Sequence, residues 1–422
     1  MHGRYALYPT QTLGVGAAAT VHLGVARGRE LVPVAIKRLH DRHAREASAV
    51  ARLLDEVRLA RRVVHPNVVR VIDFVSDGEE MLAVMEYVHG EPLSRLLADV
   101  KKSGEQMPMA IAAAIACDVL RGLHAAHEAT DVDGKPLGLV HRDVTPENIL
   151  VGADGLARLM DFGVAKAQGR LHLTKDGGVR GKLAYLAPEQ VGGDVTARTD
   201  LYAVGLVLWE MLVGERVIQG ESEPELLVKA LDPNIAAPST RVSGVPPALD
   251  KAILRALCKE PDGRFETGND EADAIERAVR ITAGSSEVSA WVRVHAGERL
   301  AARDVIVREM LAAEAETASP ARASSAPPSV PPSGAVLTAE ASVQPSARDS
   351  HARGFALMAF ATLAVVVAYL LLRTGDVAAT TSPPLDSASA SPSPPASASA
   401  SASALASAPA PALASASAPA KP

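Results

Sequence analysis

Cysteine is almost absent from this chain. The 422 residues hold two, Cys117 and Cys258, far apart and each in an apolar, helical-looking stretch. Such a pair forms neither a metal-ligand pattern nor the disulfide framework of a small secreted domain, so a reduced, cytosolic setting is expected for the part that carries it. A dense basic run is also missing, and the net charge is only −6. That is not the electrostatic footprint of a nucleic-acid binder, and no nucleic-acid partner is expected. Met1 to Thr10 lacks the apolar segment of a signal peptide. His124 and His127 stand three apart with no third ligand in view, and read as packing or surface histidines rather than a metal site.

What is present changes along the chain. Tyr8 to Leu13, Thr20 to Ala26 and Val32 to Arg38 are short apolar and β-branched runs separated by glycines, the pattern of a three-stranded antiparallel meander. The first gap reads Leu13-Gly14-Val15-Gly16-Ala17-Ala18-Ala19-Thr20-Val21, a G-x-G-x-x-G-x-V loop in which Ala19 replaces the third glycine. Glycines let backbone N–H groups approach phosphate oxygens, although an ordinary hairpin turn has the same look. Lys37 follows in Val34-Ala35-Ile36-Lys37. A helix is expected from about 44 to 64, stopped by Pro66, and two further strands at 68–75 and 81–87 complete a five-stranded sheet. From Ser94 the pattern turns helical, with Met109 to His127 rich in Ala, Ile and Leu.

The densest signal is His141-Arg142-Asp143-Val144-Thr145-Pro146-Glu147-Asn148 followed by Asp161-Phe162-Gly163. Two carboxylates and an amide at this spacing suit chemistry on ATP: one carboxylate receives a hydroxyl proton, and the other joins the amide in holding a metal against phosphate oxygens. Together with the Val34 to Lys37 run and Ala187-Pro188-Glu189, these strings resemble the protein kinase family on its serine/threonine side, over about residues 5 to 280. The composition and the repetitive tail suggest a bacterial, eukaryotic-like member.

The resemblance implies an α+β, two-lobed fold, with a β-rich N-lobe at about 5–88 and a mainly helical C-lobe at about 89–280. It implies ATP and Mg2+ as cofactors, with Mn2+ an allowed substitute, and proteins with Ser/Thr acceptors as substrates. Asp143 would be the base, and Asn148 and Asp161 the metal ligands. Lys37 would hold the α/β phosphates, positioned by Glu56. Leu13, Gly14, Gly16, Val21 and Ala35 would surround the nucleotide, Glu86 and Val88 would meet the adenine through their backbone, and Met85 would guard the back of the pocket. Thr174 is the hydroxyl of the 171–182 segment; if phosphorylated it would face Arg142. Glu189 would pair with Arg264, and Asp200 would brace the catalytic loop.

At position 145 the family has a lysine that reaches toward the γ-phosphate and meets a threonine just after the glycine of the acceptor-cradling loop. Here the residue after Gly181 is Lys182, so the two residue types look exchanged: Lys182 would bring its ammonium beside Asp143, and Thr145 would supply the hydroxyl. Ala19 and Thr145 also leave open a second reading, a pseudokinase acting as a membrane-tethered scaffold.

Residues 285–316 read as a helical extension of one or two amphipathic helices, with Trp291, Leu300, Ile306 and Leu311 on apolar stripes. A Pro/Ser/Ala linker is expected at 317–352 and a low-complexity tail at 374–422. Between them, 355–372 is an uncharged, apolar run flanked by Arg353 and Arg373. As a helix it would span roughly 27 Å, close to the hydrocarbon thickness of a bilayer, and low-complexity flanks offer no core to bury it. A single-pass anchor in the cell membrane is therefore expected, with the kinase side cytoplasmic and the tail outside. A homodimer for phosphorylation in trans is left open.

Overall fold

A computed structural model describes residues 3–16, 19–39, 61–77, 80–161, 178–280 and 282–318. The expected roles of Glu56 and Thr174, the linker beyond Ala318, the apolar run at 355–372 and the tail fall outside the described residues.

Five strands form the small lobe: β1 (Tyr5–Val15), β2 (Ala19–Arg27), β3 (Leu31–Leu39), β4 (Val71–Asp77) and β5 (Glu80–Glu86). They make one antiparallel sheet in the order β1-β2-β3-β5-β4. Side chains alternate across a strand, so neighbouring positions serve opposite faces. Val34 and Ile36 pack on one side with Val75 and Val84. Ala35 packs on the other with Val69 and Met85. Lys37 shares the parity of Ala35, which brings it to the cleft side of the sheet, and the ladder sets it opposite Val21 on β2 and Ala83 on β5.

After a connector at 87–89, a short strand β6 (Gly90–Pro92) pairs with β7 (Ile149–Gly152), which pairs with β8 (Ala157–Leu159). Around this three-stranded sheet lie α1 (Leu93–Ser103), α2 (Met109–His127), α3 (Gly178–Leu183), α4 (Ala197–Val213), α5 (Glu223–Leu231), α6 (Pro247–Ala256) and α7 (Gly268–Val279). Among the described residues, α2 is the one helix long and apolar enough to cross a membrane, yet most of it is buried. Its apolar residues run nearly all round and are covered by α4, α7 and β8, the condition for a helix at the centre of a core. Gly122 is required there, because a Cβ would stand 2.6 Å from the Asn67 carbonyl oxygen.

The chain then forms one continuous helix, α8 (Ser285–Ala318), rather than two. The first residues of the expected linker therefore belong to it. Its Val288, Val292, Ala296 and Leu300 join the core of the large lobe, whereas Val307 and Met310 pack on Ala6, Leu23 and Val25 of the sheet.

Candidate active site

The catalytic loop, 141–148, hangs between α2, α4 and β7. Arg142 adopts φ +65°, a left-handed backbone that a non-glycine residue takes only under constraint. The constraint is visible. Asp200, buried near the start of α4, accepts from the Arg142 amide at 2.8 Å through Oδ1 and from the His141 amide at 2.7 Å through Oδ2. His127, at the end of α2, bonds the same Oδ2 at 2.8 Å. The His141 ring closes the loop on its other side. Its Nδ1 accepts from the Asp143 amide at 3.3 Å, so its Nε2 carries the proton that bonds the Met160 carbonyl at 3.0 Å. These contacts hold the loop against the residue that precedes Asp161.

Among the described residues, Asn148 and Lys182 converge on the Asp143 carboxylate. The Asn148 amide nitrogen donates to the Asp143 carbonyl at 2.7 Å and to Oδ2 at 3.1 Å. From α3, Lys182 Nζ donates to the same Oδ2 at 2.5 Å. Position 182 lies on α3, in the 181–189 segment expected to cradle the acceptor. Gln190 ties that segment to the loop by donating to the Arg142 carbonyl at 3.2 Å. Thr145 differs from expectation. Its hydroxyl is buried and has no hydrogen-bond partner among the described residues, so it does not meet Lys182. The lysine half of the exchange stands in position, and the hydroxyl half does not.

On the small-lobe side, Lys37 Nζ lies 2.7 Å from Asp161 Oδ1. Asp161 also has a positive φ, +63°. Above it Leu13, Val21, Val71, Val88 and Met160 pack against Ala35, Val69 and Met85 in a single apolar cluster. Leu13, Val21, Ala35 and Val88 were expected there; Val69, Val71 and Met160 were not. No motif marks the first two, but Met160 adjoins Asp161 just past the end of β8. The Glu86 amide donates to the Arg70 carbonyl at 3.0 Å, so a base hydrogen-bonded to Glu86 must use its carbonyl. A Cβ on Gly14 would meet nothing within 4 Å among the described residues beyond its chain neighbours, so packing against them does not demand a glycine there.

Below the loop, Arg264 holds Glu189 through two parallel bonds of 2.7 and 2.8 Å. Its remaining donors reach the carbonyls of Cys258, Lys259 and Arg198, and its guanidinium lies 4.5 Å from the Tyr202 ring centroid. Thr199 adds a bond to Glu189 at 2.9 Å. Burial pushes the Glu189 carboxyl up, but the Arg264 bonds and charge outweigh it and hold the group below the ordinary carboxylate range. Tyr185 donates a short bond to Glu210, beside Arg216. Burial first, and the Glu210 charge second, raise this phenol well above its usual value.

Residues 8–270 match the protein kinase domain family. The chain belongs to that family. Among relatives of this chain, MasK, a tyrosine-protein kinase of Myxococcus xanthus, is 32% identical over 303 residues, covering 70% of this chain and 47% of MasK. The serine/threonine-protein kinase PknL of Mycobacterium tuberculosis is 34% identical over 275 residues, covering 65% of this chain and 64% of PknL. The crystal structure of the M. tuberculosis PknI kinase domain aligns with a TM-score of 0.52 at 25% identity, covering 66% of this chain and 97% of that domain. The chain thus spans about half to two-thirds of the length of the curated relatives it matches.

Membership implies ATP and a divalent metal, and the donor set fits both. Asp161 and Asn148 are oxygen donors suited to a hard cation, and two protein ligands are what Mg2+ takes when phosphates and water complete its shell. The Asn148 amide nitrogen is engaged by Asp143, which leaves its carbonyl oxygen for the metal side. His127 and Gln190 are positioning residues that motif reading did not assign. Spacing had singled out His127 but gave no hint that α4 would bring Asp200 to it.

Proposed function

We propose that this chain is a protein serine/threonine kinase, moving the γ-phosphoryl of ATP to hydroxyl groups of proteins. The observation that carries the reading is the convergence of Asn148 and Lys182 on Asp143, opposite the Lys37–Asp161 pair. Asp161 and Asn148 would hold Mg2+, which supplies charge neutralisation at the phosphates. Lys37 neutralises the α/β phosphates, and Gly14 and Gly16 admit the phosphates beneath the β1–β2 turn. Asp143 orients the acceptor hydroxyl and receives its proton as oxygen attacks the γ-phosphorus; the bond to the β,γ-bridging oxygen breaks and ADP leaves. Lys182 sits where charge builds on the transferred group, and its contribution is electrostatic. Thr145 takes no part in this scheme.

The scaffold alternative finds no support in the relatives, and the base and metal positions are all filled with the residues the chemistry needs. The name of MasK gives one reason to test tyrosine as acceptor. The apolar run at 355–372 supports anchoring in the cell membrane with the kinase on the cytoplasmic side, and phosphorylation in trans between two copies is the simplest route to a modified Thr174. Full-length protein with labelled ATP, Mg2+ and a general protein substrate provides the test. Label on serine or threonine, lost in Asp143→Asn, is expected. Nucleotide binding without transfer would return the scaffold, and label on tyrosine alone would reassign the acceptor.

A further inference from the structure

The helix α8 is about 50 Å long at 1.5 Å per residue, enough to run past both lobes. It is fastened at three levels. At its start, Ser289 donates to the Ala153 carbonyl at 2.6 Å, and Gly155 at φ +83° leaves no room for a Cβ against the helix backbone. At mid-length it grips the segment that follows the connector: Arg303 donates to the Gly90 carbonyl at 2.7 Å and to Glu91 at 2.7 Å, and Arg299 reaches Asp99 at 2.6 Å. Asp304 lies 3.5 Å from the His89 ring. Near its end Glu314 takes two bonds from Arg27 of β2, at 2.7 and 3.1 Å, and one from Tyr8 of β1 at 2.9 Å.

These anchors stand on both sides of the connector at 87–89. Opening or closing the cleft moves β1 and β2 relative to β6, and a rigid helix fixed to both resists that motion. The mid-level grip is specific, because Glu91 is fully buried and such a carboxylate is tolerated only when its partners are in place. The upper end also touches the nucleotide side. Tyr87 and Leu13 pack in the same cluster as Val307 and Met310, and Leu13 belongs as well to the cluster of Ala35, Met85 and Val88 that roofs the cleft.

We propose that α8 is a strut that sets the separation of the two lobes, so that Glu314 with Arg27 and Arg303 with Glu91 are positioning residues for the nucleotide. The inference rests on the nucleotide-binding half of the function proposed above. The strut acts through the roof of the cleft and touches no reacting atom. Breaking it therefore loosens nucleotide binding more than it slows the transfer step.

The test uses the full chain and two readouts: affinity for a fluorescent ADP analogue, which needs no turnover, and the KM and kcat for ATP. Glu314→Arg and Arg27→Glu, each alone, are expected to weaken ADP binding and raise KM about fivefold or more, the low end of coupling between linked sites, with a smaller change in kcat. Combining the two charge reversals restores at least half of the loss. Val294→Glu, on the exposed face of the same helix, changes neither readout. If either reversal unfolds the protein, Glu314→Gln and Arg303→Met take its place. Unchanged ADP affinity in a folded single variant overturns the strut, as does a double reversal no better than its parents. Failure of the kinase reading is recognised separately, by label that survives Asp143→Asn while ADP binding still responds to α8.

Discussion

Two ion pairs of similar length serve this molecule in opposite ways. Arg264 and Glu189 meet at 2.7 Å with the arginine side chain fully buried and the glutamate nearly so. Lys182 and Asp143 meet at 2.5 Å, but the lysine is 47% exposed. In the first pair a rigid guanidinium fork is committed to a carboxylate and three carbonyls, and neither charge has water to fall back on. In the second a flexible ammonium holds a carboxylate by one bond at the open side of a cleft. Burial and multiplicity make the first a fixture of the fold. Exposure and a single bond make the second exchangeable, which suits the role proposed for Asp143, where one partner is released to receive a substrate hydroxyl.

The comparison breaks first at the buried pair. Arg264→Met strands Glu189 in the interior and is expected to cost about 3–5 kcal/mol of stability, the range for removing one member of a buried pair, measured by denaturant unfolding. The sign with pH follows from the depressed Glu189 carboxyl. Its contribution is complete above the ordinary glutamate value of 4.5 and drains away as pH falls through the lower folded value. Wild-type protein should therefore lose stability in acid more steeply than a Glu189→Gln variant; equal slopes would remove the buried pair from the account.

Lys182→Ala should behave the other way. The unfolding midpoint stays where it was, while kcat falls about 100- to 1000-fold, the scale for deleting one group that stabilises charge in a transition state. A variant that keeps full turnover would make Lys182 a surface cation and leave position 145 as a plain loss. The smallest effect belongs to the neighbour of the open pair. Thr145 buries a hydroxyl that bonds to nothing among the described residues, so Thr145→Val is expected to raise stability by up to about 1 kcal/mol, since an unmade bond costs more than an absent one. A loss on that substitution would mean the hydroxyl has a partner after all.

Much of the site was legible because its chemistry needs residue types at short, fixed spacing. Asp143, Asn148 and Asp161 lie within one loop and one hairpin, and Lys37 shares strand parity with Ala35, so local geometry alone orders them. Asp200, Glu189 and Arg264 could be assigned only through the family resemblance, since 75 residues separate the last two. Position 182 stands out only when an absence at 145 is paired with a lysine out of place; the Lys182 ammonium lies on Asp143, and the Thr145 hydroxyl makes no bond to it among the described residues. What could not be read were partners chosen by packing. Nothing in the spacing of His127 announces Asp200, and nothing in an Ala-rich run tells α2, mostly buried in the core of the large lobe, from a helix that crosses a bilayer. Of Trp291, Leu300, Ile306 and Leu311, Leu300 lies in the buried core and the others are partly buried, Trp291 against that core and Ile306 and Leu311 against the cluster of Ala6, Leu23 and Val25; their spacing is silent about which surface α8 meets.

By itself the sequence determined the strand alternation, the glycine loop, the catalytic string and hence the family, because each depends on neighbours within a few residues. The tertiary structure alone decided that Lys182 reaches Asp143, that Asp200 holds a left-handed Arg142 in place, and that α8 joins Glu91 to the sheet through Arg303 and Glu314. Those contacts join residues 39 to 287 positions apart. Contacts at that range depend on how whole elements pack, and packing answers to shape and buried charge summed over the fold rather than to any local pattern.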